Sequence, residues 1–392
     1  MGLGVNLVGY LQAELGVAEV ARQVIGALDT QEIPVLPIGI EASGSRHDHP
    51  YGHIDAFENP FGVNLLCVNA DQTPHVAAMA GPAFFHNRHT IGLWWWEVAE
   101  LPDYFSAAFS CVDEVWACTT FVAENLRAAT DKQVTMVPLP VSGSPGAMAD
   151  RPRFGLADET IFLFVFDYHS VAGRKNPIGT IDAYRRAFPE PCGTRLVIKS
   201  INGELHPAAR AAVHAAASER DDITLIEEYL SGAERDALMA SCDCYVSLHR
   251  SEGFGLTCAE AMLCGKPVIA TAFSGTADFV LPQHSLPVDY ELTTVGAGNE
   301  PYAASALWAE PDLEQAAAYM QRIAGSPEYA RELGERARSY ITQVHSRSAC
   351  GRAMAVRLAE IDAADNSSLR WWERRSARSG QAVAQALRAQ RP

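Results

Sequence analysis

The feature that most constrains this chain is a recurrence: short, mostly apolar runs, each followed by a segment of helical periodicity or a loop, along most of its length. Val5-Asn6-Leu7-Val8-Gly9 reads as a buried strand, and Gly16 to Leu28 follows as a helix with apolar residues at Val17, Val20, Ala21, Val24 and Leu28. Further runs stand at Ile33 to Ile38, Val63 to Val68, Ile91 to Trp95, Val115 to Cys118 and Val134 to Val137. Continuous apolar runs are what strands covered on both faces require, so the pattern predicts a parallel sheet between layers of helices. From Pro138 to Pro152 the chain becomes rich in Pro, Gly and Ser, the composition of a linker. The pattern then resumes with Thr160 to Phe166, Arg195 to Lys199, Ile223 to Ile226, Cys244 to Leu248 and Pro267 to Ala270, separated by helical stretches. The fold class expected is therefore α/β, with two layered domains facing each other across a cleft. Their bounds are read as 1–141 for the first domain, 142–153 for the linker and 154–350 for the second, with a helical segment and basic tail over 351–392.

Composition narrows the function. The 392 residues carry 31 Lys plus Arg against 47 Asp plus Glu, a formal charge of −16, which argues against a general nucleic-acid binder. The chain is 48% hydrophobic, enough to fold throughout. Nine cysteines, an odd number mostly inside apolar runs and without metal-ligand spacing, read as reduced core thiols of a cytoplasmic protein. His75, His86 and His89 lack the helical spacing of a zinc site, so no metal is expected. The start of the sequence lacks signal-peptide character, and no apolar stretch is long enough to span a bilayer.

The most informative segment runs from Ser251 to Ala270, Ser-Glu-Gly-Phe-Gly-Leu-Thr-Cys-Ala-Glu-Ala-Met-Leu-Cys-Gly-Lys-Pro-Val-Ile-Ala. It lies between one strand and the next, with a helix that Gly265 and Pro267 terminate. Glycines on both sides of Phe254 let the backbone approach a ligand closely, and the helix start behind them offers unpaired N–H groups to phosphate oxygens. Glu252 sits in the loop and Glu260 within the helix, so their carboxylates can accept hydrogen bonds from hydroxyls on different parts of one elongated ligand. A lone Glu260 would be a surface carboxylate; its spacing from Glu252 and the glycines overturns that reading. The second constellation is Gly173-Arg174-Lys175-Asn176-Pro177, two adjacent cations before a helix start. Cations there are unfavourable beside the positive end of the dipole unless an anion is present, which favours a diphosphate as the ligand.

Glu252, seven residues, Glu260, with Gly-Phe-Gly-Leu between and Gly-Lys-Pro-Val-Ile-Ala after, resembles the signature of the retaining GT-B-fold glycosyltransferases called family four. The resemblance implies a GT-B fold and transfer of a hexose-type sugar from a nucleoside-diphosphate sugar to a hydroxyl acceptor, with retention at the anomeric carbon. It implies that Glu252 contacts the sugar hydroxyls, Glu260 the ribose, and the backbone of Phe254, Gly255 and Leu256 the sugar and phosphates. Arg174 and Lys175 then neutralise the departing diphosphate, so no metal or other cofactor is required. The chain departs from the pattern in having Asp167-Tyr168-His169-Ser170 where many members carry an arginine. In the N-terminal glycine loop only Gly16 matches well. Where relatives keep a histidine facing the sugar, Trp96 and Glu97 stand here; together with Asp71 they are the candidate acceptor or sugar contacts. The triplet Trp94-Trp95-Trp96 reads first as core and domain interface. The segments around Asp71 and Glu97 resemble members acting in bacterial polysaccharide or glycoconjugate assembly.

Two rivals share the fold: a nucleotide-sugar epimerase, and a non-catalytic nucleotide-sugar binding protein. A dinucleotide dehydrogenase is disfavoured because no Gly-x-Gly-x-x-Gly follows the first strand. The segment 367–392 carries six arginines against one glutamate, with Trp371 and Trp372 among them. Such a tail can dock peripherally on anionic lipid at about 1 kcal/mol per charge. Packing back on the acidic first domain, or remaining loose, together outweigh that use.

Overall fold

The computed structural model describes residues 3–41, 46, 47 and 49–364; the basic segment 367–392 lies outside the described residues. The first sheet contains β1 (Val5–Gly9), β2 (Val35–Gly39), β3 (Val63–Cys67), β4 (His89–Leu93), β5 (Glu114–Ala117) and β6 (Gln133–Met136). Its strands are all parallel, in the order β2-β1-β3-β4-β5-β6. Helices α1 (Gly16–Asp29), α2 (Thr73–Ala80), α3 (Pro82–Phe85), α4 (Phe105–Phe109) and α5 (Thr120–Ala129) connect them. Every residue of β1 and β3 is buried, as the continuous apolar runs require. β4 stops at Leu93, short of the tryptophans, because Asn69 Oδ1 takes the N–H of Trp95 (2.9 Å).

The second sheet contains β7 (Thr160–Asp167), β8 (Thr194–Ile201), β9 (Ile223–Ile226), β10 (Cys244–Ser247), β11 (Val268–Thr271) and β12 (Leu286–Val288). It too is parallel, in the order β12-β11-β10-β7-β8-β9. Its helices are α6 (Ala172–Lys175), α7 (Pro177–Ala187), α8 (Pro207–Ala217), α9 (Gly232–Ser241) and α10 (Leu256–Leu263). In each sheet the first strand lies inside the order, so successive strands are laid down to both sides of it. The crevice at the carboxyl ends of β7 and β10 is such a reversal point, the place where open α/β sheets bind ligands.

Beyond β12 the chain forms an antiparallel arm of β13 (Tyr290–Thr294) and β14 (Leu307–Pro311), an element with no counterpart in the expected pattern. Tyr302, Ala306 and Trp308 of this arm share an apolar cluster with Trp94 and Trp96 of the first domain. The arm is followed by α11 (Leu313–Gly325) and α12 (Pro327–Val344). Asp312 caps α11 by accepting from the N–H groups of Glu314 and Gln315.

A last described helix, α13, covers 347–364 and packs on the first domain. Its Arg357 grips Glu114 of β5, with Nη2 2.7 Å from Oε2 and Nε 2.9 Å from Oε1. Glu114 is fully buried. Burial alone raises its pKa, but hydrogen bonds from His89, Arg357 and Thr135 outweigh that and bring it down to about 2. A carboxyl held below its unfolded value of 4.5 contributes stability above that pH and loses it as the pH falls toward about 2. Arg357→Ala leaves the carboxylate buried without its bidentate partner, which should cost on the order of 3 kcal/mol. Urea melts at pH 7 and pH 3 check this: the deficit should be present at pH 7 and shrink at pH 3, and an equal midpoint at pH 7 would contradict it.

Candidate functional site

The reversal point of the second sheet brings together two loops far apart in sequence. After β7 the chain enters α6, whose last turn carries Arg174 and Lys175, and Asn176 then caps α7 by accepting from the Gly179 N–H (3.1 Å). After β10 it runs through His249 to Gly255 into α10. Lys175 Nζ donates to Glu252 Oε1, and Arg174 Nη1 lies 3.1 Å from Oε2. Arg174 is 4% and Glu252 9% exposed. Arg174 is further fixed by donating to the carbonyls of Ser251 (2.8 Å) and Ser170 (3.1 Å). Burial pushes the Glu252 carboxyl up, but Lys175 and Arg174 override it and hold the pKa down to about 2. Glu252 is thus ionised at neutral pH and can only accept hydrogen bonds. The anion anticipated beside the two cations is in the first instance the protein's own. The pair sits in the last turn of the short α6, directly before the N-cap of α7, so the conflict with that dipole is met by the Glu252 carboxylate.

The turn between Glu252 and α10 is folded tightly against Ser274 to Asp278. Ser274 Oγ accepts from the Glu252 N–H (2.8 Å), and Gly255 has φ +93° with the Thr276 methyl where a Cβ would stand. Phe254 is buried between Phe279 and His345, ring centroids 5.0 and 5.4 Å away, so its side chain anchors the turn. Gly255 provides no side-chain cap for α10; its carbonyl takes the N–H groups of Cys258 and Ala259, which leaves those of Leu256 and Thr257 without helical acceptors. Glu260, one turn further, is half-buried, and its carboxylate forms no hydrogen bond or ion pair among the described residues. Burial, with the Glu19 carboxylate adding to it, pushes its pKa up to about 8. The two carboxylates of the motif therefore stand in opposite electrostatic environments.

The first domain closes over this site. Ser251 Oγ donates to the Glu97 carbonyl, Thr119 Oγ1 donates to the Gly253 carbonyl (3.0 Å), and Asp278 Oδ2 accepts from the Thr120 N–H (2.7 Å). The Glu97 carboxylate lies 3.9 Å from Arg174 Nη2 and accepts from Tyr302 Oη of the arm (3.0 Å). Trp96 is buried against Tyr302 and Phe105, ring centroids 5.3 and 5.6 Å away. Glu252, Arg174, Lys175 and Glu97 thus form one cluster, with Trp96 beside it. Gly16 opens α1 with nothing within 4 Å of where a Cβ would lie. Asp71 is exposed beyond β3, accepts from Gln72 Nε2 (2.8 Å) and, after burial, helps raise the phenols of Tyr10 and Tyr104 to about 12.

Several residues at the site are not legible in the sequence. His249 is fully buried between Ser247 Oγ and Thr276 Oγ1, each 3.0 Å away; burial lowers its pKa to about 4, so it is neutral at pH 7. Arg250 joins the arm to the site, pairing with Glu310 (2.6 Å) and donating to the Gly173 carbonyl (2.7 Å). Tyr302 sits in a stretch that reads as a loop. No three or more His, Cys, Asp or Glu side chains are grouped to hold a metal ion among the described residues.

A carboxyl raised in the folded state weakens the fold as it ionises: the penalty is absent below about 4.5 and is fully developed above about 8. Glu260→Gln should therefore melt at a higher temperature than the parent at pH 8.5 and at nearly the same temperature at pH 4.5. Thermal melts across that range measure it, and a difference that does not grow with pH would contradict the assigned environment.

Residues 224–340, which include Glu252 through Glu260 and exclude Arg174 and Lys175, match the family model described as Glycosyl transferases group 1. A D-inositol 3-phosphate glycosyltransferase of Stackebrandtia nassauensis is 30% identical over 186 residues, 42% of this chain and 39% of that one. The match thus spans about two fifths of that relative's length. Among solved structures, sucrose-phosphate synthase from Thermosynechococcus elongatus superposes with a TM-score of 0.68 at 17% identity, covering 93% of this chain and all of that one. Anabaena Alr3699/HepE in complex with UDP and glucose gives 0.68 at 13% identity, covering 92% of this chain and all of that one. At those identities the likeness concerns the fold. The chain has the GT-B architecture of two facing α/β domains, and residues 224–340 of the second match the glycosyl transferases group 1 model.

Proposed function

We propose that this protein is a retaining glycosyltransferase that moves a hexose-type sugar from a nucleoside-diphosphate sugar to a hydroxyl acceptor without a metal ion. The observation that carries the reading is the buried cluster of Glu252, Arg174 and Lys175 at the reversal point of the second sheet, beside the uncapped start of α10. The names of the similar proteins support it: a D-inositol 3-phosphate glycosyltransferase, a sucrose-phosphate synthase and a protein crystallised with UDP and glucose.

In this reading the diphosphate lies against the N–H groups at the start of α10. Lys175 turns from Glu252 toward the phosphate oxygens as negative charge develops on them, and Arg174 adds its fixed charge. Glu252, released from Lys175, accepts hydrogen bonds from the sugar hydroxyls, and Glu260 takes the ribose. Gly16 lies over the phosphates from the first domain, while Asp71, Trp96 and Glu97 meet the sugar or the acceptor. Bond cleavage gives an oxocarbenium-like sugar, the acceptor oxygen attacks on the face the phosphate leaves, and the acceptor proton passes to a phosphate oxygen. No side chain acts as a nucleophile. The closed interface of the two domains keeps water from the activated sugar. The acceptor we propose is a glycan, a lipid-linked sugar or a small molecule, with a place in bacterial polysaccharide or glycoconjugate assembly. Such a protein works in the cytoplasm.

Transfer from sugar nucleotides, followed by release of the nucleoside diphosphate, tests the proposal. Glu252→Ala and Lys175→Ala should each lower kcat by about 100-fold or more. The anomeric coupling constant of the product should match that of the donor. Undiminished turnover in both variants would overturn the site; inversion at the anomeric carbon would overturn the retaining course.

A further inference from the structure

His249 stands three residues before Glu252, is fully buried, and is bonded at both ring nitrogens. Nδ1 meets Ser247 Oγ and Nε2 meets Thr276 Oγ1, each at 3.0 Å. The tautomer follows from the hydroxyl it meets. Thr276 Oγ1 has one hydrogen, and besides the ring it faces the carbonyls of Thr271 (2.9 Å) and Phe273 (3.0 Å), which can only accept. That hydrogen goes to a carbonyl, so Thr276 takes the Nε2–H of His249, and Nδ1 accepts from the Ser247 hydroxyl. Thr276 in turn completes a clasp, 274–276, on the turn that carries Glu252. Ser274 Oγ accepts from the Glu252 N–H (2.8 Å), and the Gly275 N–H donates to the Glu252 carbonyl (2.9 Å). Gly275 passes the Gly253 carbonyl with no room for a side chain, and the Thr276 methyl fills the place of a Cβ at Gly255. Ser274 has φ +60°, a left-handed conformation that a non-glycine residue keeps only where its surroundings hold it, and one that recurs at ligand clamps.

We infer that His249 is a positioning residue for donor binding: as the Nε2–H tautomer it holds Thr276, and through Thr276 the clasp, so that Glu252 and the N–H groups of Leu256 and Thr257 are in place before the sugar nucleotide arrives. This rests on the donor reading above. Being fully buried, His249 acts through Thr276 and does not itself touch the ligand. Donors and acceptors already in place bind without the cost of ordering them. The two ends of the ring are unequal in this respect. Ser247 is fixed in β10 by its pairing with Ala270 of β11, so losing the bond at Nδ1 leaves the turn where it is. Losing the Nε2–H deprives a buried hydroxyl of its donor and loosens the one segment that clasps Glu252.

Calorimetric titration of the full chain with UDP-glucose, GDP-mannose, ADP-glucose and TDP-glucose first selects the sugar nucleotide that the parent binds most tightly. His249→Gln and His249→Asn are then titrated with it. The Gln amide reaches the place of Nε2 and keeps the bond to Thr276; the Asn amide reaches that of Nδ1 and keeps the bond to Ser247. Each variant gives up one buried hydrogen bond, so melting temperatures without ligand should fall by similar amounts. Affinity should split instead: about tenfold or more weaker in His249→Asn, and within about threefold of the parent in His249→Gln. Thr276→Val keeps a methyl beside Gly255 and removes the acceptor, so it should weaken binding as His249→Asn does, and the two combined should lose no more than about threefold beyond either alone. Should His249→Asn not fold, Thr276→Val against His249→Gln carries the same comparison. Equal affinities in the Gln and Asn variants, both lowered or both unchanged, overturn the inference in favour of a purely structural role for His249, and additive losses in the double variant overturn the route through Thr276. A parent that binds none of the four sugar nucleotides overturns the donor reading and this inference with it, whereas a parent that binds, with no split between the variants, overturns this inference alone.

Discussion

The buried carboxylate of Glu252, held between two cations, is the interaction on which the arrangement of the cleft depends. A carboxylate taken out of water is costly unless it is paired and its remaining lone pairs are satisfied. Here the pairing joins α6 to the loop after β10, two segments separated by 77 positions in sequence. Arg174 can serve only because two backbone carbonyls fix its guanidinium. The loop can present Glu252 only because the chain turns at Gly255 with positive φ and passes Gly275 with no room for a side chain. The tight turn leaves α10 to begin without a side-chain cap. Charge pairing, backbone conformation and an open helix start are thus three consequences of one folded loop.

The same loop separates two carboxylates chemically. Glu252 is kept ionised by its partners, whereas Glu260, whose carboxylate has no partner among the described residues, is raised by burial and by the charge of Glu19 and is easily protonated. Burial acts on both in the same direction, so the difference comes from the cations. A site with one fixed acceptor and one carboxyl that can donate or accept suits a ligand whose two ends carry different hydroxyl groups. The first domain contributes a further carboxylate, Glu97, whose hydrogen bond to Tyr302 ties the β13–β14 arm to the cation pair. Closure of the domains and order at the cations are in this way coupled through one side chain.

Much of the fold is legible in the chain itself. Apolar runs such as Val63 to Val68 and Thr160 to Phe166 mark strands covered on both faces, and they recur in the two parallel sheets. The spacing of Glu252, the glycines and Glu260 identifies the loop and helix start. Arg174 and Lys175 stand out as cations in want of an anion, but periodicity cannot say that the anion is Glu252, since that pairing depends on strand order. The arm was not legible for a different reason. β13 is exposed on both faces and β14 is mostly buried, so neither shows an alternation, and the Gly- and Pro-containing stretch between them carries Tyr302 with no pattern around it.

The central claim is that the Glu252 cluster and the start of α10 receive a pyrophosphate. A crystal structure of the chain with its bound sugar nucleotide measures this most directly. The account predicts phosphate oxygens within hydrogen-bonding distance of Lys175 Nζ and of the N–H groups following Gly255, with Glu252 turned to the sugar. A nucleotide seated elsewhere, with Lys175 and Arg174 still closed on Glu252, would contradict it.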